Sequence, residues 1–358
     1  KILNAKGLPE TNIKGNIIIN NAQVLAQANP KIDLTNLALQ VTLTEGASIS
    51  PDPSKVMDYS QTRKFTVTSQ DGNWHKEYSV IIDTFDLPFQ YDFEHYELNE
   101  TGKYQVFFEE TQGTALFKQY IWASGNSGFA LTGVGRNPQE YPTVSGSRAI
   151  KLETKSTGQF GETVKMPIAA GNLFLGSFDV NNAVQKPLKA TLFGLPFGKK
   201  PLKFKGYYKY VPGTQSFKAK DKNGNTVTIS RQEDEGDIYA VLYEAAGLDG
   251  KVLDGNNVLT SKNIVALARV EVEKTDRYIE FETSFQYGER KEISWPQFIY
   301  RDPSDDGTGK YLRFSEEKMK NYEYNLAVVF TSSKYGAYFA GSVGSTLCID
   351  KVEIVCEK

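Results

Sequence analysis

The sequence predicts an almost entirely β protein: a small N-terminal β-sandwich over residues 1–84, then a larger jelly-roll β-sandwich over residues 88–358. Two observations carry this. Tyr and Phe number 20 and 21 in 358 residues, and aromatic side chains suit pleated, half-buried surfaces. Short runs of alternating apolar and polar residues also recur along the chain, separated by turn-forming glycines, 30 in all.

The elements of the first domain follow in order. Gly15 to Ile19 is a short strand. Leu37, Leu39, Val41 and Leu43 fall on one face of a second strand, and Ala47 to Ile49 form a third. Arg63 to Ser69 and Trp74 to Ile82 flank Gln70-Asp71-Gly72-Asn73, a hairpin signal because Asp-Gly supplies the positive φ that a tight turn needs. Phe65 and Val67 alternate with Thr66 and Thr68, and Tyr78, Val80 and Ile82 alternate with Ser79 and Ile81. Thr84 to Phe89 reads as a linker. The remainder has no Ser/Gly/Pro break that would divide it, so it reads as one jelly-roll domain with long loops at Gly133–Ser147, Asp221–Gly224, Gly247–Asn257 and Asp302–Lys310. Ser315, followed by Glu316 to Met319, is set to cap one short helix. No tandem repeat is visible.

Composition excludes several functions. Lys plus Arg is 41 against 43 for Asp plus Glu, a net charge of -2, so neither a basic nucleic-acid face nor a polybasic membrane patch is expected. Histidine occurs only at His75 and His95, which argues against a Ser-His-Asp triad or a multi-histidine zinc site. Carboxylates are left to carry any hydrolysis. Cys348 and Cys356 lie in one stretch; a continuous strand would hold them roughly 26 Å apart at about 3.3 Å per residue, far beyond disulfide reach. No apolar run approaches a membrane span. The chain opens on Lys rather than Met, which reads as a mature or trimmed form and leaves room for an export signal removed before it.

Family resemblances add to this. The stretches "LTEGASISP", "DYSQTRKFTVTSQDG" and "YSVI", within residues 33–83, resemble a bacterial immunoglobulin-like module found at the front of many extracellular proteins. The resemblance implies an immunoglobulin-like sandwich with a spacer or presentation role. The second domain opens on Tyr91-Asp92-Phe93-Glu94 and closes on Leu347-Cys348-Ile349-Asp350-Lys351-Val352-Glu353-Ile354. These ends resemble the first and last strands of jelly-roll carbohydrate-binding modules. That implies adjacent chain ends and a structural calcium held by Asp92, Glu94 and Asp350, since Ca²⁺ takes carboxylate oxygens; the alternative is that they are solvated acids on edge strands. The loop Asp302 to Gly307 fails the EF-hand spacing. Between the two ends, Trp122 to Phe129, Tyr141-Pro142, Lys151 to Thr154, Ala169 to Gly176, Gly194 with Pro196-Phe197, Gly206 to Tyr210, Asp237 to Ala240, Ser332 to Gly336 and Phe339 to Ser345 resemble the "putative carbohydrate metabolism" domain of gut glycan-degrading bacteria. That family brings no catalytic residues to carry over.

The residues themselves suggest how a sugar would be held. An aromatic ring covers the apolar C–H face of a pyranose, and an amide or carboxylate fixes its hydroxyls. Trp122 followed by Asn126 fits this pattern, against the alternative of a core Trp and an ordinary turn. Tyr208 and Tyr210 share one strand face while Tyr207 and Lys209 share the other; one face is core and the other is free for a ligand. Trp295 completes the aromatic candidates. Glu153 and Asp237 sit in apolar strand patterns, where burial would raise a carboxyl pKa. They are the polar candidates for sugar binding, and they also belong to the wider set Glu109, Glu110, Glu153, Asp234, Glu235 and Asp237 from which a glycosidase would draw its two carboxylates. No pair identifies itself. Gly341 to Gly344 reads as a close-packed loop, not a phosphate cradle.

The reading that results is an extracellular glycan-binding protein of a bacterial polysaccharide-utilisation system, placed at the cell surface or in the periplasm, with lipid anchoring through a removed N-terminus as a further expectation. Its expected partners are an oligo- or polysaccharide and other surface glycan-utilisation proteins. The alternatives are a glycoside hydrolase using a carboxylate pair and a structural adhesion protein.

Overall fold

The computed structural model describes residues 1–8, 13–28, 32–83, 87–111, 117–146, 149–248 and 252–358. The expected linker residues Thr84 to Asp86, Ser147 of one expected loop and residues 249–251 of another lie outside the described residues. The chain divides into two compact units, Lys1–Leu87 with Gly247–Val252, and Pro88–Ala246 with Leu253–Lys358.

The first unit is a small sandwich. A five-stranded sheet runs in the order Ile13–Asn20, Gln23–Ala28, His75–Asp83, Arg63–Thr68 and Ser48–Ser50, and Ile2–Leu8 pairs with Ala38–Leu43 in a second sheet. The alternation in the sequence places the core: Leu37, Leu39, Phe65, Val67, Tyr78, Val80 and Ile82 are buried together, with Val41 and Leu43 packed against them. The Asp-Gly turn forms as expected. Gly72 has φ +72°, Thr68 pairs with His75, and the Asp71 carboxylate accepts hydrogen bonds from the Ser69 hydroxyl and from the backbone and side chain of Asn73, which hold its pKa down at about 2.

Two strands have no signal in the alternation. Ile2–Leu8 carries a bulge between Ile2 and Asn4, which shifts the period. Gln23–Ala28 lies between an antiparallel neighbour and the parallel strand His75–Asp83. Its Val24, Leu25 and Ala26 are all buried, so it reads as a run rather than as an alternation.

The second unit is a larger sandwich of antiparallel sheets. One sheet orders Thr143–Ser145, Ile150–Glu153, Thr346–Cys356, Pro201–Val211 and Thr275–Ser284, with Gln90–Tyr91 also on Thr346–Cys356. The first and last strands of the unit are therefore neighbours, with Val352 opposite Tyr91. The other sheet orders Leu253–Asp254, Thr191–Phe193, Asn172–Phe178, Tyr324–Thr331, Asp237–Glu244, Ile264–Val270 and Gln286–Tyr287, joined by Trp122–Ala123 and Leu195–Pro196.

The core lies between these sheets. The Phe330 ring centroid is 6.2 Å from that of Phe204 on the opposite sheet and 5.9 Å from that of Phe93. Pro201–Val211 buries Phe204, Gly206, Tyr208 and Tyr210 and turns Tyr207 outward. Tyr324–Thr331 and Asp237–Glu244 are buried along nearly their whole length, so their sheet is covered on both faces. Loops and short helices cover the face away from the core. Ser315 caps the helix Glu316–Lys320 by accepting from the Lys318 N–H. Cys348 and Cys356 share one strand, and both are free. No helix among the described residues is long and apolar enough to cross a membrane.

Candidate functional site

An open cleft of about 190 Å³ lies on the outer face of the second unit's larger sheet. It exists because strand side chains alternate. Leu173, Ile238 and Phe330 are wholly buried, while Phe174, Asp237, Tyr239, Val329 and Thr331 line the cleft. Its walls are the short helix Gly158–Thr163, the turn Gly336–Tyr338 and residues 187–191 and 255–260. Phe160 is exposed on the rim.

Trp295 also lines the cleft. It is half-buried, with the Arg301 guanidinium 4.9 Å from its ring and Tyr338 edge-on at 5.9 Å. Arg301 is fixed in turn by both carboxylate oxygens of Asp306 and by Thr260. The ring is thus held in place before any ligand arrives, which lowers the entropic cost of stacking.

Asp237 is the one carboxylate among the described residues that line the cleft. Arg269 grips it through two bonds, Nε to Oδ1 at 2.9 Å and Nη2 to Oδ2 at 2.6 Å. The Asn172 side chain accepts from the Gly125 N–H and donates to the Ala170 carbonyl. Lys334 pairs with Glu235 at 2.6 Å.

Beside the cleft, Ser333 belongs to a buried polar network. Asp234 Oδ2 accepts from the Ser333 and Ser345 hydroxyls and from the Ser342 N–H. Burial raises the Asp234 pKa to about 6 against the pull of these donors. The loop is close-packed as expected: a Cβ at Gly341 would run into the Ser333 hydroxyl.

Of the residues expected at a sugar site, Asp237 and Trp295 both line the cleft. The others lie elsewhere and correct the expectation. Trp122 is 1% exposed and sits in the sandwich core, edge-on to Tyr91 and Phe93. Tyr208 and Tyr210 are each 2% exposed, so the face they share is the core face and neither ring can stack on a ligand. Asn126 is fully buried; its side chain donates to the Thr143 carbonyl and accepts from the Thr143 N–H, which ties the helix Asn126–Ala130 to the sheet. Glu153 lies outside the cleft, between Lys151 and Lys155 at 2.5 and 2.8 Å. Burial pulls its carboxyl up, and the two lysines outweigh this and hold it below its ordinary value. Among the described residues, the carboxyls raised by burial are Asp234 and Glu109.

The acids expected to share calcium do not gather into a group of metal ligands. Phe93 has φ +59°, which turns the chain out of the strand directly after Tyr91. The Asp92 carboxylate then accepts from the Glu94 N–H. Asp92, Glu94 and Asp350 do not form a metal-binding group, and no group of three or more His, Cys, Asp or Glu side chains among the described residues could hold a metal ion.

Sequence reasoning missed Phe160, Tyr338 and Asn172. The motif blocks contain Asn172, but nothing local marks it as cleft-facing.

Comparisons with known proteins bear on both units. The family described as "Putative carbohydrate metabolism domain" matches residues 92–355, and that described as "SGBP, N-terminal" matches residues 5–82. Among solved structures, a "putative glycoside hydrolase" from Bacteroides thetaiotaomicron is 38% identical, with the match covering 100% of this chain and 97% of that one at a TM-score of 0.81. A "putative glycoside hydrolase" from Bacteroides vulgatus is 34% identical over 76% of this chain and 99% of that one, at a TM-score of 0.59. No curated protein matches the chain.

Proposed function

Since the chain belongs to the family described as "Putative carbohydrate metabolism domain", we propose that the cleft of its second unit binds an oligosaccharide and does not cleave it. The observation that carries this reading is the pairing of a pre-positioned aromatic, Trp295, with a cleft lining whose one carboxylate, Asp237, is committed to Arg269. Glycoside hydrolysis of the usual kind needs two carboxylates flanking the scissile bond, one of them free to give and take a proton. The described lining offers one, and two guanidinium bonds occupy it. Trp295, Tyr338 and Phe160 suit the apolar face of a sugar ring. Affinity is expected to be modest, because each hydroxyl hydrogen bond contributes only about 0.5 to 1.5 kcal/mol net.

In this reading the N-terminal unit, which matches "SGBP, N-terminal", is the spacer that presents the cleft. The protein works outside the cytoplasm in a bacterial polysaccharide-utilisation system, at the cell surface. A second reading, hydrolysis, is favoured by the names of the two similar structures.

A glycan-array screen of the intact chain, with reducing-sugar release measured on every hit, separates the readings. Binding without release supports the proposal. Release that Asp237→Asn abolishes would replace it with hydrolysis, and binding to no glycan would remove both.

A further inference from the structure

One rim of the cleft carries two lysines that no carboxylate among the described residues pairs with. The hairpin formed by Lys218–Lys220 and Thr226–Thr228 packs beside the cleft wall, where Lys218 bridges Gly341 in antiparallel register. Counting two residues along each chain brings Lys220 beside Phe339. The Lys220 Nζ lies 4.3 Å from the centroid of that cleft-lining ring.

From the other side comes Lys165, which directly follows the cleft-lining Val164. It reaches the turn of the same hairpin, where its Nζ donates to Asn225 Oδ1 at 3.1 Å. Among the described residues no carboxylate forms an ion pair with Lys220 or Lys165. Asp221 feels the charge of Lys165 and offsets part of it without pairing with it; its carboxylate accepts from the backbone N–H groups of Asn223 and Asn225 and from the Asn225 side chain. Lys220 is half-buried. Burial, and then the neighbouring Lys165, lower its pKa.

Two cations brought together with no ion pair of their own and only the Asp221 carboxylate to offset part of their charge, one of them partly desolvated, cost free energy that an anion placed between them would recover. Three other basic groups near the cleft are already paired: Lys334 with Glu235, Arg301 with Asp306 and Arg269 with Asp237.

We infer that the glycan taken by this cleft is acidic, and that Lys220 and Lys165 bind its anionic substituent, a uronate carboxylate or a sulfate ester, at the hairpin rim. The inference rests on the oligosaccharide-binding reading above and names the class of sugar. The ring faces contact Trp295 and Tyr338, while the acid reaches the rim beyond Phe339.

The test is isothermal titration of the intact chain with matched pairs of ligands: uronate-containing oligosaccharides against their carboxyl-reduced forms, and sulfated oligosaccharides against their desulfated forms. The pair that discriminates identifies the acid. An acidic member should bind about tenfold or more tightly than its neutral partner, as expected of a charge-assisted contact. The advantage should shrink at about 0.5 M salt. Lys220→Met keeps the stem against Phe339 and removes the charge, so it should erase the advantage, and Lys220→Arg should keep it. Lys165→Met, at an exposed position, should reduce it independently of any effect on folding. Equal affinity for acidic and neutral partners would overturn the inference and leave the binding reading standing. So would an advantage that survives loss of both lysine charges. Failure of every oligosaccharide to bind would overturn both.

Discussion

The indole Nε1 of Trp122 donates a 2.8 Å hydrogen bond to Oε1 of Glu109, and both residues are buried. This carboxyl is the polar partner that a fully buried indole requires. Burial drives the Glu109 pKa up from 4.5 to about 7, against the pull of the indole N–H and with a further push from Asp92.

The sign of the pH dependence follows. The folded protein holds the Glu109 proton more tightly than the unfolded chain does. The associated stability is complete below pH 4.5 and is lost as pH rises through about 7. The loss is on the order of 3 kcal/mol. Glu109→Gln keeps an acceptor for the indole and cannot ionise. Denaturant unfolding between acid and neutral pH should show this loss in the parent protein and a flatter profile in the variant. Parallel profiles would show that Glu109 does not titrate in this range.

Asp237 is 3% exposed and Arg269 is 23% exposed on their side chains. Asp237→Asn leaves the guanidinium without its counter-charge and should destabilise the second unit by about 3 kcal/mol, the cost of breaking a buried pair from one side. Denaturant midpoints measure it. Replacing both residues by apolar ones of similar size should cost less than the single change.

Trp295 and Trp122 should respond oppositely to removal. Trp295→Ala should weaken oligosaccharide binding about tenfold or more while cooperative unfolding persists, because the ring is half-buried at the cleft. Trp122→Ala should cost about 3 to 5 kcal/mol of stability, the usual penalty for emptying a large core site. Paired calorimetric titration and thermal unfolding distinguish the two.

Adjacent tyrosines provide a sharper contrast. Tyr208 is 2% exposed and accepts from the Glu273 N–H, whereas Tyr207 is 39% exposed on the opposite face. Tyr208→Ala should cost about 3 kcal/mol, and Tyr207→Ala should stay within about 0.5 kcal/mol. Equal effects would contradict the assigned face.

That contrast marks the limit of the sequence. Alternation in Gly206 to Tyr210 shows that Tyr208 and Tyr210 share a face, because the strand repeat is two residues. It says nothing about which face another sheet covers. That is decided by Phe330, whose ring lies against Phe204 from the opposite sheet and from a strand far along the chain.

Where a strand carries its own signal, the sequence was sufficient. Leu37, Leu39, Phe65, Val67, Tyr78, Val80 and Ile82 form the first core as read, the Asp-Gly turn closes its hairpin, and the two ends of the second unit pair. The pairing of the ends is what the resemblance to jelly-roll modules implied; the core and the turn depend on local backbone preference and on period-two patterning. The bulged strand Ile2–Leu8 and the doubly covered strand Gln23–Ala28 lack that regularity.

The cleft depends on neither. Asp237 is marked by its strand, but its partner Arg269 lies 32 residues away. Trp295 acquires its role from Arg301 and Tyr338, and Lys220 from Phe339. The sequence determined an all-β chain with two cores and a supply of aromatics. Tertiary packing decided which of them would remain at the surface, because side-chain burial depends on what the rest of the chain lays over each face.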